Sequence, residues 1–202
     1  MRCRLLARAR TEEKPWRASG LRLAMAIVLL AAVSGDHSPA VVSSPQLIIE
    51  ESVAADFAAL AEETWTQTLS VFRGRTACFG DVRLRASREL AGRASYDPQT
   101  ATITVKVPGT RSRLQVALVH EIAHHIEFQC TEHQQFRPTF LALMGMPPDT
   151  PWRAQSAPWP DTPSERYAEA AVLAVLGDNP LPTKINPTPA EVAAVAAWAA
   201  GQ

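Results

Sequence analysis

The sequence predicts an α+β domain in which a small twisted sheet with a hairpin packs on one long apolar helix, followed by a helical C-terminal part. Three observations lead to this prediction. Residues 81–86 and 93–107 carry the alternation of apolar and polar side chains that is typical of strands. Residues 110–129 place apolar side chains at helical spacing. Beyond residue 130, helical stretches alternate with proline-rich breaks.

Residues 1–35 are expected to be a signal peptide or an N-terminal anchor. Basic residues precede the apolar run 23–33 and small residues follow it, which is the pattern of an export signal. The run has about 11 residues, whereas a membrane span needs about 20, so export with cleavage is favoured over a retained anchor. We therefore expect a secreted or extracytoplasmic protein, attached to a membrane only if this segment is retained.

Length and charge fit a single domain behind that segment. The chain has 202 residues, of which 47% are hydrophobic, and a formal net charge of zero. Residues 36–46 are rich in Ser and Pro and are expected to be a linker, with the domain at residues 47–202. Balanced charge gives no electrostatic reason to expect a nucleic-acid partner, and the oligomeric state stays open.

The domain is expected to begin with a strand, a helix and a second strand. Leu47–Ile49 has the composition of a strand, residues 53–72 carry helical spacing, and residues 81–86 alternate. Residues 93–107 are typical of two strands joined at the turn-forming residues 97–100. These elements predict a hairpin that leads into the long helix.

The long helix has recognisable boundaries. Pro108 and Gly109 end the preceding strand, Thr110 or Ser112 can cap the helix, and the helical pattern runs to about Gln129. Further helices are expected at residues 134–144, 165–176 and 189–200.

The last two of these helices have their own end signals. Ser164 or Thr162 can cap the first of the pair, which Gly177 ends, and Thr188 can cap the second. Before them, residues 147–163 contain six prolines. Such a loop either lines a cleft or packs its tryptophans, Trp152 and Trp159, back onto the domain.

The long helix carries H-E-I-A-H at residues 120–124. A helix has about 3.6 residues per turn, so His120 and His124 lie one turn apart on the same face and can reach one metal ion. Glu121 projects about 100° away, where its carboxylate can take a proton from metal-bound water. Unligated imidazoles on this apolar helix would need partners for all four ring nitrogens. The pattern therefore predicts two zinc ligands and a general base.

A catalytic zinc takes three protein ligands and keeps one position open, so a third ligand is required. Glu127 lies about 10.5 Å along the helix axis from His120, too far to share the ion, and we interpret it as a solvated charge. His133 follows the expected end of the helix and is interpreted as a surface or cleft histidine. Glu165 and Glu169 are the better source, because their i, i+4 spacing puts both carboxylates on one face of an apolar helix.

The run H-E-I-A-H followed downstream by E-R-Y-A-E resembles the gluzincin branch of the zincin metallopeptidases over about residues 92–176. The resemblance implies a zincin-like fold in which Glu121 is the base and Glu169 accepts a hydrogen bond from a ligating histidine. The implied zinc ligands are His120, His124 and Glu165. It also implies that an extended peptide binds alongside a sheet edge near the metal helix, which the hairpin could supply.

Some positions fit no pattern of these peptidases. The metzincin branch would require Gly and His where this chain has Glu127 and Cys130. No recognisable motif supplies a residue to stabilise the oxyanion. Tyr167 points about 200° away from Glu165 on the helix and is expected in the core. Tyr96, His133 and the arginines stay open for this role.

The cysteines suggest a disulfide. Cys3 would be lost with a cleaved leader, which leaves Cys78 and Cys130 as a pair in an exported domain. Their bond would close a loop of about 50 residues and contribute about 3 to 4 kcal/mol. The rival interpretation makes Cys130 a thiolate ligand of the metal.

Together these features predict a zinc metallopeptidase that hydrolyses peptide bonds. Zinc would activate a water, and Glu121 would take its proton and pass it to the leaving amine. The expected partner is a peptide or protein substrate. Two alternatives stay open: a non-catalytic binding module with a structural zinc, and a zinc hydrolase that acts on a non-peptide amide.

Overall fold

The computed structural model describes residues 44–153 and 158–202. The predicted leader, residues 1–35, and most of the predicted linker, residues 36–46, lie outside the described residues. Among the described helices, none combines the length and the apolar character that crossing a membrane requires.

The fold is α+β, as the sequence predicts, with a four-stranded open sheet and six helices in the described residues. The strands are β1 (Leu47–Ile49), β2 (Val82–Ser87), β3 (Ala94–Asp97) and β4 (Thr102–Lys106). The helices are α1 (Ala55–Val71), α2 (Thr76–Phe79), α3 (Arg111–Gln129), α4 (His133–Leu143), α5 (Pro163–Leu176) and α6 (Pro189–Ala199). A short 3-10 helix, Trp159–Asp161, precedes α5.

The sheet has the strand order β1-β2-β4-β3. β1 pairs with β2 and β2 pairs with β4 in parallel, whereas β3 pairs with β4 in antiparallel fashion, with Tyr96 opposite Ile103. The predicted hairpin is therefore present. Its turn ends at Ala101, which has a positive φ of 49°. β3 lies at an edge of the sheet, with β4 as its neighbour.

Helix α3 lies between the sheet and the C-terminal helices, in contact with β3 and β4 and with α5. Its predicted apolar stripe is buried and consists of Leu114, Leu118, Val119, Ile122 and Ile126. The facing side chains of the sheet are also buried: Val82, Leu84, Ile103 and Val105. Burial on both sides fixes the rotation of α3 about its axis, and this rotation decides where the H-E-I-A-H side chains point.

The helix ends match the predicted signals in part. The Thr110 side chain accepts from the amide of Arg113 at the start of α3, and Thr188 with Glu191 forms a capping box on α6. Thr162 occupies the cap position of α5 but makes no capping hydrogen bond. Gly177 ends α5 with φ 82°, a conformation that favours glycine.

The predicted disulfide joins Cys78 and Cys130. Cys78 belongs to α2 and Cys130 directly follows α3. The bond therefore attaches the segment before β2 to the carboxyl end of the helix that carries the candidate site. Since both thiols are used in it, the rival assignment of Cys130 as a thiolate ligand is wrong in this structure.

Candidate metal centre

The structure brings together the three side chains predicted as ligands. His120 and His124 lie one turn apart on α3, and their Nε2 atoms are 3.2 Å from each other. Glu165 comes from the first turn of α5. Its Oε2 lies 3.1 Å from Nε2 of His120, and its Oε1 lies 3.6 Å from Nε2 of His124. The close contact of α3 with α5 makes this meeting possible.

The geometry of this group suits a metal ion. One ligand atom from each of His120, His124 and Glu165 lies within 4.8 Å of the others. In a tetrahedral site with bonds of about 2.0–2.1 Å, ligand atoms are about 3.3–3.4 Å apart. The two Nε2 atoms are 3.2 Å apart, and a carboxylate oxygen of Glu165 lies 3.1 Å from Nε2 of His120 and the other oxygen 3.6 Å from Nε2 of His124, so these separations are close to this value. These three side chains could therefore hold a metal ion.

Glu169 lies behind the first histidine. Its Oε1 is 3.2 Å from Nδ1 of His120, and its Oε2 accepts a hydrogen bond from the side-chain amide of Asn179 at 2.9 Å. The carboxyl group is almost fully buried. A carboxylate in this position fixes the proton of the imidazole on Nδ1 and leaves Nε2 free to ligate. Glu169 thus lies against the ring nitrogen of His120 that faces away from Glu165.

The prediction that Glu127 is a solvated charge is wrong. Its side chain has no exposed area, and its Oε1 lies 3.3 Å from Nδ1 of His124. Trp152 donates to Oε2 at 2.6 Å and Arg153 donates to Oε1 at 2.7 Å. Glu127 is too far along the helix to share an ion with His120, but it is close enough to contact the side of the His124 ring that faces away from the cluster. Glu127 is three residues after His124 on the same helix, and this i, i+3 spacing is the sequence feature that indicates a contact between the two side chains.

His133 is likewise misplaced by the sequence prediction, which put it on the surface or in a cleft. It is fully buried and packs against Phe136, Trp152, Tyr167 and Trp198. The physical reason is that α4 begins at His133 and turns back onto α6. His133 is therefore a core residue outside the candidate site. Tyr167 belongs to the same aromatic cluster and is fully buried, as predicted.

Glu121 lines the same cleft as the three candidate ligands. It is 8% exposed. Burial raises the pKa of its carboxyl group above the usual value, an effect that the Glu165 carboxylate increases and the two histidines oppose. A carboxylate with a raised pKa accepts a proton more readily near neutral pH.

The charges of the cluster shift its other protonation equilibria. Burial opposes protonation of His120 and His124, but the neighbouring carboxylates outweigh it and raise the pKa of His120, and that of His124 to about 10. Although burial raises the pKa of Glu165, hydrogen bonds from the two histidines lower it well below its usual range. A bound cation would compete with these protons for the same nitrogens.

A cleft of about 780 Å³ opens onto the cluster. It is lined by residues 92–96, which include most of the edge strand β3, and by Trp159 and the start of α5. The proline-rich loop both lines the cleft and packs onto the domain, and each of its two tryptophans does one of these. Trp152 is buried against the domain, whereas Trp159 is 41% exposed in the cleft. The indole of Trp159 donates to Oε2 of Glu165 at 2.7 Å.

Three side chains that could stabilise an oxyanion also line this cleft: Tyr96, Arg93 and Arg153. The Tyr96 hydroxyl lies 3.0 Å from Nδ1 of His125, the third histidine of the helix, which faces away from the cluster and is buried.

No family model matches the chain, and neither a curated protein nor a solved structure matches it. The function is therefore inferred from the site itself.

Proposed function

We propose that the chain is an exported, zinc-dependent peptidase of zincin-like architecture that hydrolyses peptide bonds. The observation that carries the proposal is the convergence of His120, His124 and Glu165 on one point, with Glu121 beside them in an open cleft. Two imidazoles and one carboxylate are the ligand set of many catalytic zinc sites, in which water or substrate takes the fourth position.

The proposed reaction divides the work between the ion and the protein. Zinc, when bound, would lower the pKa of a water molecule and polarise the scissile carbonyl. Glu121 takes the proton of that water and delivers it to the amine that leaves. The raised pKa of its carboxyl supports this role. Glu169 holds the ring of His120 so that Nε2 faces the ion, since its carboxylate contacts the other ring nitrogen.

A peptide is the substrate that the cleft suits best. β3 is an edge strand, and its residues form one wall of the cleft. An extended peptide can add to such an edge through main-chain hydrogen bonds, which places one of its carbonyls near the ligands without requiring a particular side chain. The exposed aromatic rings of Phe128 and Trp159 give the cleft apolar surface for substrate side chains.

The substitution Glu121→Gln tests the base assignment. The variant should bind one equivalent of zinc like the wild type, yet its peptidase activity should fall by at least about 100-fold, because general-base catalysis contributes roughly that much or more. Activity is measured by digestion of a peptide library with and without a chelator. Glu62→Gln, at an exposed position of α1, is the matched control.

The outcomes separate the classes of function. Full activity in the zinc-loaded Glu121→Gln variant would remove Glu121 as the base. A wild-type protein that binds zinc but cleaves no peptide would instead favour the binding module. Cleavage of small amides without cleavage of peptides would favour the hydrolase of non-peptide amides.

A further inference from the structure

We propose that Glu127, held in place by Trp152 and Arg153, is a positioning residue for the candidate metal ligand His124. This inference rests on the metal site of the proposed function, but it concerns a carboxylate that the H-E-I-A-H and E-R-Y-A-E runs do not contain. The geometry around Glu127 shows a carboxylate that is fixed on both oxygens and faces an imidazole.

The contact with His124 determines which ring nitrogen carries the proton. Oε1 of Glu127 lies 3.3 Å from Nδ1 of His124, while Nε2 of the same ring faces His120 and Glu165. A carboxylate accepts hydrogen bonds and donates none, so a neutral imidazole beside it carries its hydrogen on Nδ1. The lone pair is then on Nε2, which is the nitrogen directed at the metal.

The carboxylate of Glu127 is itself immobilised. Trp152 donates its indole N–H to Oε2 at 2.6 Å, and Arg153 donates to Oε1 at 2.7 Å. The Cζ atom of Arg153 in turn lies 3.4 Å from the centre of the ring of Phe128, a residue of α3, so the guanidinium has a second contact with this helix. Arg137 donates to the backbone carbonyl of Glu127 at 3.3 Å. Two donors from the segment after α4 therefore fix the side chain that faces the ligand.

An ion pair between Glu127 and Arg153 that served only stability would not require an oxygen of Glu127 to face His124. Buried ion pairs contribute little net stability compared with apolar side chains of the same size, because removing both charges from water is costly. Glu127 keeps one oxygen directed at His124 in addition to its pairing with Arg153. Glu169 bears the same relation to His120. Each histidine of the cluster thus has a buried carboxylate behind it, one from α5 and one from α3 itself.

The test compares Glu127→Gln with Trp152→Phe and with the control Glu132→Gln, an exposed site five residues further along. Zinc affinity of the full chain is measured by competition with a chromophoric chelator, and the visible spectrum of the cobalt-substituted protein reports ligand geometry. Glu127→Gln should bind zinc roughly 10- to 100-fold more weakly and shift the cobalt bands. Trp152→Phe should change both in the same direction by less, and Glu132→Gln should match the wild type.

Wild-type affinity and an unchanged cobalt spectrum in a folded Glu127→Gln variant would overturn the assignment. If that variant does not fold, as judged by circular dichroism, Trp152→Phe decides: weaker zinc binding supports the assignment, and unchanged binding overturns it. A wild type without zinc affinity would overturn both this inference and the proposed function. Zinc binding that depends on Glu127, in a protein without peptidase activity, would overturn the proposed hydrolysis alone.

Discussion

Removal of the disulfide is expected to lower the stability of the domain by about 4 kcal/mol. Cys78 and Cys130 are 52 residues apart, and closing a loop of this size lowers the entropy of the unfolded chain by about 14 cal/mol/K, or about 4 kcal/mol at 25 °C. The test variant replaces Cys78 with Ser and Cys130 with Ala. Alanine is chosen at position 130 because that side chain is 1% exposed, where a hydroxyl would lack solvent.

The assay is unfolding in urea, followed by far-ultraviolet circular dichroism. The free energy of unfolding of the variant should be about 4 kcal/mol below that of the wild type, which for a domain of this size corresponds to roughly 8–16 °C in Tm. Wild type unfolded in the presence of a strong reductant is the control and should lose a similar amount. The variant itself should not respond to reductant.

A loss of less than about 1 kcal/mol, in a wild type whose thiols are fully oxidised, would refute the loop-entropy reasoning for this bond. Equal thiol titration of native and reduced wild type would show instead that the bond does not form in the protein.

Two further predictions concern the third ligand and a core histidine. Glu165→Ala should lose its zinc during dialysis while the wild type keeps one equivalent, as measured by atomic absorption, because two histidines alone do not make a complete site; a variant that keeps a full equivalent would remove Glu165 from the ligand set. Burial lowers the pKa of His133 from 6.5 to about 3. Below pH 6.5 the unfolded chain therefore binds more protons than the folded protein does. The folded state loses stability as the pH falls towards 3, by up to about 1.4 kcal/mol per pH unit. Urea unfolding at pH 7 and pH 5 should give a smaller loss for His133→Gln than for the wild type, and equal losses would contradict this origin of the pH dependence.

The elements of the fold could be predicted where the signal is local. The hairpin and helix α3 follow from periods of two and 3.6 residues, which are visible within about 20 positions. The four-residue helix α2 (Thr76–Phe79) is too short to show a period. The parallel pairing of β1 with β2 and of β2 with β4 depends on contacts between distant segments. Strand order was therefore beyond what the sequence pattern could predict.

The same distinction explains the candidate site. His120 and His124 are close because one helix turn separates them, and the spacing alone indicates this. The i, i+4 spacing indicates Glu165 and Glu169 as a pair, and the resemblance implies that Glu165 is the ligand. Its contact with the histidines requires α5 to pack on α3. The burial of Glu127 was mispredicted because its hydrogen-bond donors, Trp152 and Arg153, lie more than 20 residues away along the chain. A hydrogen-bond donor so far along the chain gives no periodic pattern in the sequence around Glu127.

The distance in sequence between the two halves of the cluster has a consequence for the time at which the candidate metal site forms. Glu165 reaches the imidazoles only when α5 has docked on α3, 45 residues earlier in the chain. A chain still emerging from the ribosome cannot assemble the trio. The candidate site therefore exists only in the folded domain, and any metal ion that it binds would stabilise the docking of α5 on α3.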